Sequence, residues 1–192
     1  MKSLKALRIS LFPIFFLTTC HGIWNFYPDT NDPGLSRFTS RGYNIASCYI
    51  KGKAHVNNGS FYPVLQKDSS VNSIDTLQFK WPLFVHDTAN IFTAYTDIAF
   101  LLPVPKSFDK TNLLEFNGQR FLNSVPVTLT DTSQKKFSGV ATLYFVTVTE
   151  ALERSNRKYI KMSGLFDGHI GDSIVIAKGR FDFEIYEGSL NF

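Results

Sequence analysis

The sequence is poor in the residues and motifs from which catalytic sites are usually built. It has only two cysteines, and neither these nor its four histidines fall at the spacing of a metal-binding motif. It contains no Gly-x-Ser-x-Gly nucleophile motif and no glycine-rich phosphate-binding loop before a helix. We therefore predict no catalytic residues, no metal site and no cofactor. Whether the protein is an enzyme stays open, with a non-enzyme favoured.

The sequence also lacks an apolar run that is long enough to span a bilayer. The apolar-dominated stretch at residues 9–17 is short, and it follows a start that carries Lys2, Lys5 and Arg8. A cationic start, a short apolar stretch and small residues are typical of a secretory signal peptide. We predict a signal peptide over residues 1–19, and the alternative is a buried N-terminal helix or strand.

Outside the predicted signal peptide, the chain has almost no excess of positive over negative charge. The whole chain has 20 Lys and Arg against 16 Asp and Glu, a net charge of +4. Three of the basic residues lie in the predicted signal peptide, so the remainder has 17 against 16 and a net charge of +1. No basic stripe remains that would favour nucleic acid as a partner.

Cys20 is the first candidate functional residue. The sequence Leu17-Thr18-Thr19-Cys20 has the layout of a bacterial lipobox, in which the cysteine sulfur is joined to diacylglycerol. We predict lipidation of Cys20 and anchoring in the outer membrane. The periplasmic face is slightly preferred, because no run of Asp or Glu follows directly. The alternatives are ordinary signal cleavage near Gly22 and a disulfide between Cys20 and Cys48.

The segment after Cys20 shows neither a helical nor a strand period. Residues 21–42 include Pro28, Pro33, Gly34 and many short polar residues. Such a composition is typical of a flexible linker. We therefore predict a lipid-anchored tether over residues 20–42, followed by a single all-β domain over residues 43–192.

The rest of the chain is rich in short runs with a strand period. In residues 180–185, large apolar residues alternate with charged ones, the pattern of a strand with one buried face. Roughly ten such runs predict an all-β fold, an antiparallel β-sandwich, with a closed lipocalin-like β-barrel as the alternative. The 19 phenylalanines would supply much of its core.

Turn residues predict where some of these strands end. Asn117-Gly118 predicts a β-hairpin, the strongest such signal in the chain. Asp167-Gly168 and Gly171-Asp172 predict two further turns. The only helical candidate is a short one from Glu150 to Ser155.

Two segments resemble a known group of proteins. Residues 42–53, Gly-Tyr-Asn-Ile-Ala-Ser-Cys-Tyr-Ile-Lys-Gly-Lys, resemble the opening "Gly-x-Asn-Thr-Phe-Gly-Cys-x-Val-Asn-Gly-x" of Bacteroidota envelope lipoproteins of unknown function. Residues 160–182 are similar to their "Ile-x-Gly-x-Phe" followed by "Ile-x-x-Gly-x-Phe-Asp". The chain departs from the pattern at Ile45, Ala46-Ser47 and Lys51. The resemblance implies an envelope lipoprotein with a β-rich domain, and it carries no catalytic residues.

The same resemblance implies candidate glycosylation sites. An Asp, then Ser or Thr, then an apolar residue is the O-glycosylation pattern of that phylum. It occurs at Thr76, Thr88 and Ser173.

These features together predict an exported envelope lipoprotein of unassigned biochemical activity that acts as a binding or structural module. The expected partners are the membrane, through Cys20, and an unknown protein, glycan or small apolar ligand. One alternative is a β-barrel that binds an apolar ligand in a phenylalanine-lined interior. A further alternative is a secreted hydrolase with two facing carboxylates.

Overall fold

The computed structural model of the protein describes residues 29–58, 64–68, 74–85, 95–151, 153 and 156–190. Nearly all of the regular structure in these ranges is strand, and every strand pair is antiparallel. The strands are β1 (Ile45–Ile50), β2 (Lys53–Asn58), β3 (Val64–Asp68), β4 (Ile74–Val85), β5 (Tyr95–Pro105), β6 (Arg120–Thr130), β7 (Lys136–Glu150), β8 (Tyr159–Ile170) and β9 (Ile174–Tyr186). An α-helix, α1 (Lys110–Leu114), and a 3₁₀ helix (Glu187–Ser189) are the helical elements among them. The predicted all-β antiparallel class is confirmed.

The strands form one sheet that closes on itself. Their order is β2-β1-β9-β8-β7-β6-β5-β4-β3. A further pairing joins β2 to β4, where His55 lies opposite Val85 and Val56 opposite Phe84. The earlier part of β4 pairs along the same edge with β3. The described sheet is therefore a ring with β3 outside it, whereas the sequence favoured two stacked sheets and gave a closed sheet as the alternative.

Aromatic side chains pack the centre of the ring. Phe79 and Trp81 on β4 meet Phe181 and Phe183 on β9 across the interior. The ring centroids lie 5.2 Å apart for Phe79 and Phe181 and 5.4 Å apart for Trp81 and Phe183. Aromatic pairs at such distances contribute about 0.5–1.5 kcal/mol beyond their buried area. In the described part of the sheet, side chains thus occupy the centre of the ring.

The helix α1 is a feature that the sequence did not predict. Asp109 accepts hydrogen bonds from the backbone N–H groups of Thr111 and Asn112, and the Asn112 side chain accepts one from the Asp109 N–H. This reciprocal capping box stabilises the first turn. Leu113 is fully buried in the core and gives the helix its contact with the sheet.

Two sequence predictions about this part of the chain are wrong. The pair Asn117-Gly118 does not join two strands, because it forms the turn that leads from α1 towards β6. The predicted helix at Glu150 does not begin there, because Glu150 is the last residue of β7. Strand pairing with β8, in which Glu150 lies opposite Ile160, takes precedence over the local helical spacing.

The two turns predicted near the end of the chain have different outcomes. Gly171-Asp172 lies in the β8–β9 turn, as predicted. Asp167-Gly168 lies inside β8, so that prediction is wrong. The pairing register of β8 with β9 shifts between Phe166 and Gly168. The extra residue of this β-bulge lies on β9, because Phe166 and Gly168 are two residues apart whereas their partners Gly179 and Ile176 are three apart. Asp167 and Gly168 pair regularly with β7 on the other side, so β8 continues through them.

Residues 29–44, which we call the strap, lie on the outer face of β1 and β9. Leu35 and Ser36 are fully buried, and the Pro33 carbonyl oxygen accepts a hydrogen bond of 2.8 Å from the Tyr49 hydroxyl. Residues 29–42, which the sequence placed in the tether, are thus held against the sheet. Residues 1–28, including the predicted signal peptide, lie outside the described residues.

Candidate functional site

Arg180 on β9 is the centre of a polar network that holds the strap. Its Nη1 lies 2.6 Å from Oδ2 of Asp29, and its Nη2 lies 2.5 Å from Oδ2 of Asp32. Nη1 also donates to the Ser36 carbonyl oxygen at 3.2 Å. The second oxygen of Asp32 lies 2.5 Å from Nζ of Lys178. Because a buried guanidinium is costly without partners, this set of acceptors explains how Arg180 is accommodated at a buried position.

The network keeps its acidic members ionised. The pKa of Asp29 is lowered, first by a hydrogen bond from the Asn31 backbone N–H and further by Arg180. The pKa of Asp32 is lowered by hydrogen bonds from Lys178 and Arg180. Such carboxylates are poorly suited to act as general acids at neutral pH. We therefore assign them a structural role.

Asp182 holds the second half of the strap. Its carboxylate accepts hydrogen bonds from the backbone N–H groups of Gly42 at 2.7 Å and Arg41 at 3.1 Å, and from the Thr39 hydroxyl. Gly42 has φ 80°, and a Cβ there would lie 2.9 Å from the Cβ of Glu184. Glycine is therefore required where the strap crosses β9.

One end of the ring carries an open concavity of about 460 Å³, which we call the end concavity. Three turns frame it, at residues 51–52, 131–135 and 171–173. The buried part of its lining is apolar and its exposed part is mainly polar. The apolar side chains are Ile50, Leu129, Phe137, Ile170 and Ile174, and the polar ones are Lys51, Asp131, Ser138 and Ser173. Its volume falls in the range of about 300–1,000 Å³ that is typical of ligand pockets.

The turns fix the charged residues at this end. Lys51 has φ 51°, and its backbone N–H donates to the Val175 carbonyl oxygen at 3.1 Å. One carboxylate oxygen of Asp131 accepts hydrogen bonds from the Ser133 hydroxyl and from the N–H groups of Ser133 and Lys135, which together lower the pKa of Asp131. The end concavity thus combines an apolar surface with a lysine and an ionised carboxylate. None of its ten lining residues is a histidine, cysteine or glutamate.

The opposite end of the ring carries a smaller concavity of about 230 Å³, whose lining includes Glu150, Glu153 and Glu187. The Nζ of Lys110 lies 2.7 Å from Glu150 and 3.1 Å from Glu187. A glycoside hydrolase needs one carboxyl group with a raised pKa as its acid. Lys110 instead lowers the pKa of Glu150, and the two glutamates raise that of Lys110. This arrangement is an ion-pair cluster and gives no acid–base pair.

The structure does not bring the sequence-predicted site residues together. Cys20 and Thr88 lie outside the described residues. Thr76 is half-buried in β4, whereas Ser173 is exposed in the β8–β9 turn at the end concavity. Cys48 is free and fully buried in β1, and burial raises the pKa of its thiol. Cys20, its partner in the alternative disulfide, lies outside the described residues, so that alternative stays a prediction.

Sequence reasoning missed the residues of both structural networks. Asp29 and Asp32 lie in a segment without hydrophobic periodicity. Arg180 lies in a strand whose apolar–charged alternation predicted that the arginine faces solvent. No local pattern links these residues. Gly171-Asp172 was an available signal at the end concavity, because it predicted one of the three turns that frame it.

No relative supplies a function for the chain. Comparison with family models, with curated proteins and with solved structures finds no match. Across the described ranges, no group of three or more His, Cys, Asp or Glu residues is arranged to hold a metal ion. None of the helices in those ranges has the length and apolar character needed to cross a bilayer.

Proposed function

We propose that the protein is an exported lipoprotein, anchored through Cys20 in the outer membrane with its domain on the periplasmic side, and that it acts by binding at the end concavity. The observation that carries the binding role is a contrast within the ring. The described centre is packed with aromatic side chains, whereas one end is open, with an apolar lining and charged residues at its edge.

The anchor is supported by features of the sequence. The cationic start, the apolar stretch and the sequence Leu17-Thr18-Thr19-Cys20 are typical of a lipoprotein precursor. The resemblance of residues 42–53 and 160–182 to envelope lipoproteins agrees with this assignment.

The lining of the end concavity favours a small amphiphilic ligand. Phe137 and the neighbouring aliphatic side chains offer a surface for an apolar group, and Lys51 offers a positive charge for an anionic one. The packed ring centre favours this shallow site over the alternative of a carrier that encloses its ligand. The Lys110 cluster gives the hydrolase alternative no acid–base pair.

The anchor is tested by metabolic labelling with radioactive palmitate in a bacterial host. We expect the label in the full chain and in the membrane fraction, and we expect Cys20→Ala to lose both. Incorporation that is unchanged in Cys20→Ala, or membrane binding of that variant without a label, would contradict the proposed anchor.

The binding site is tested with the fluorescent probe 8-anilinonaphthalene-1-sulfonate, which combines aromatic rings with an anionic group. Phe137→Ala should weaken binding of the probe. Phe121→Ala is the matched control, because both phenylalanines are partly buried against the core and only Phe137 lines the end concavity. Equal effects of the two substitutions would place probe binding elsewhere and contradict the proposed site.

A further inference from the structure

We infer that, in the membrane-bound protein, the outer wall formed by β7, β8 and β9 faces the lipid bilayer. This inference rests on the proposed anchor at Cys20 and adds to it an orientation of the domain. Three observations carry it: the length of chain between Cys20 and the strap, the place where the strap begins, and the side chains exposed around that place.

The strap shortens the linker to the membrane. A free tether over residues 20–42 would reach about 80 Å when fully extended. Because Asp29 is fixed to Arg180, only residues 20–28 remain as linker. Nine residues span at most about 30 Å, and a flexible segment of this length has a mean end-to-end distance of about 17 Å. The domain is therefore kept close to the bilayer.

The strap begins on the wall of the ring and not at either end. Arg180 projects from the outer face of β9, because its neighbour Phe181 packs inside. Its cross-strand neighbour on β8 is Leu165, and adjacent strands lie about 4.8 Å apart. The ion pair between Asp32 and Lys178 fixes the same end of the strap. The linker therefore joins the domain on the outer face of β9, between the strap-covered β1 on one side and β8 on the other.

This wall exposes aliphatic side chains on the strand that holds the start of the strap and on the two strands that follow it in the sheet. Leu165 is 40% exposed, Val140 48% and Val175 47%. Val140, His169 and Val175 lie opposite one another across β7, β8 and β9. Exposed apolar groups within reach of a lipid anchor favour contact with the boundary between headgroups and acyl chains.

The composition of the linker supports the same orientation. Four of its residues are large and apolar or aromatic: Ile23, Trp24, Phe26 and Tyr27. Tryptophan and tyrosine prefer the membrane–water interface. A linker that partitions into the interface would bring its point of attachment on β9, and the neighbouring strand β8, to the bilayer surface.

The test compares two fluorescent probes on opposite sides of the ring. Val175→Cys places a label on the wall in question. Val64→Cys places one on β3, which pairs with β4, the strand that packs against β9 across the interior. The parent side chains are matched, at 47% and 48% exposed, and the buried Cys48 stays unlabelled. The lipidated full chain is inserted into phosphatidylcholine vesicles that contain nitroxide-headgroup lipid.

We expect the nitroxide to quench the label at residue 175 several-fold more strongly than the label at residue 64. Equal quenching, or stronger quenching at residue 64, in a vesicle-bound protein overturns the orientation and leaves the anchor intact. If the full chain binds vesicles no better than Cys20→Ala does, the anchor and the orientation are both overturned.

A second variant tests the role of the short linker without altering the sheet. A flexible Gly-Ser segment of about 20 residues inserted between Pro28 and Asp29 would extend the reach of the linker to about 100 Å. Quenching at residue 175 should then fall towards that at residue 64. Quenching that stays equally strong and selective would overturn the claim that the fixed strap sets the orientation.

Discussion

Arg180 on β9 binds Asp29 at the start of the strap, with 2.6 Å between Nη1 and Oδ2, although 151 residues separate the two in the chain. The contact joins the first described residue to the last strand of the ring. It makes the strap part of the folded domain and covers polar groups on the outer face of β9.

Asp182→Asn should loosen the second half of the strap. The carboxylate binds the N–H groups of Arg41 and Gly42 and the hydroxyl of Thr39, and hydrogen bonds to a charged group contribute about 1.5–3 kcal/mol. We expect a loss of this size in the free energy of unfolding, measured by urea denaturation. Asp172→Asn, in the exposed β8–β9 turn, is the control. A loss no greater than that of the control would contradict the role of Asp182.

The first half of the strap should detach in acid. Because the pKa values of Asp29 and Asp32 are lowered in the folded protein, their contribution to stability is present above the unfolded value of about 3.9 and is lost as the pH falls through the folded values. The amide resonance of Leu35, whose N–H donates to the Asp32 carbonyl oxygen, reports the change by NMR. Asp32→Asn should reduce this acid transition. A Leu35 resonance that is constant down to about pH 2 would contradict the prediction.

Gly164→Ala should destabilise the packed centre of the ring. A Cβ at this position would overlap with the Tyr144 carbonyl oxygen and the Phe181 ring. Overpacking of this kind costs about 1–3 kcal/mol, and we expect the upper part of that range in thermal or urea unfolding. Gly168→Ala on the same strand is the control, because its nearest contact, the Val140 carbonyl oxygen, lies at 3.1 Å. Equal losses of unfolding free energy in the two variants would contradict the tight packing around Gly164.

Lys51→Gln should weaken binding of 8-anilinonaphthalene-1-sulfonate to the end concavity. A single exposed charge pair contributes up to about 1 kcal/mol, so we expect the dissociation constant to rise about two- to fivefold. Lys53→Gln is the matched control, since both lysines flank Gly52 and are exposed but only Lys51 lines the site. The measurement is a fluorescence titration. The assignment of Lys51 fails if the two variants bind the probe equally well.

The sequence predicts those parts of the fold that depend on local pattern. The alternation in residues 180–185 identifies β9, and Gly171-Asp172 marks the turn before it. Asn117-Gly118 is misread, because the capping box of Asp109 and the burial of Leu113 form a helix in front of it. The available signal for this helix was an Asp three residues before an Asn, and it predicts a helix start less strongly than an Asn-Gly pair predicts a hairpin.

The remaining features depend on contacts between distant residues. Closure of the ring depends on two residue pairs between β2 and β4, which no period reveals. The alternation in β9 predicts that Arg180 and Asp182 face solvent, but the strap covers them. The end concavity likewise forms from three turns that are far apart in the chain. Closure of the ring, burial of Arg180 and Asp182 and formation of the end concavity therefore depend on long-range contacts, which the local sequence pattern does not determine.

The most direct test of the central claim is the mass of the N-terminal peptide of the protein purified from bacterial membranes. A chain that begins at Cys20 and carries diacylglycerol on its sulfur is the predicted result. A chain that keeps residues 1–19, or one that begins elsewhere without a lipid on Cys20, would contradict the account.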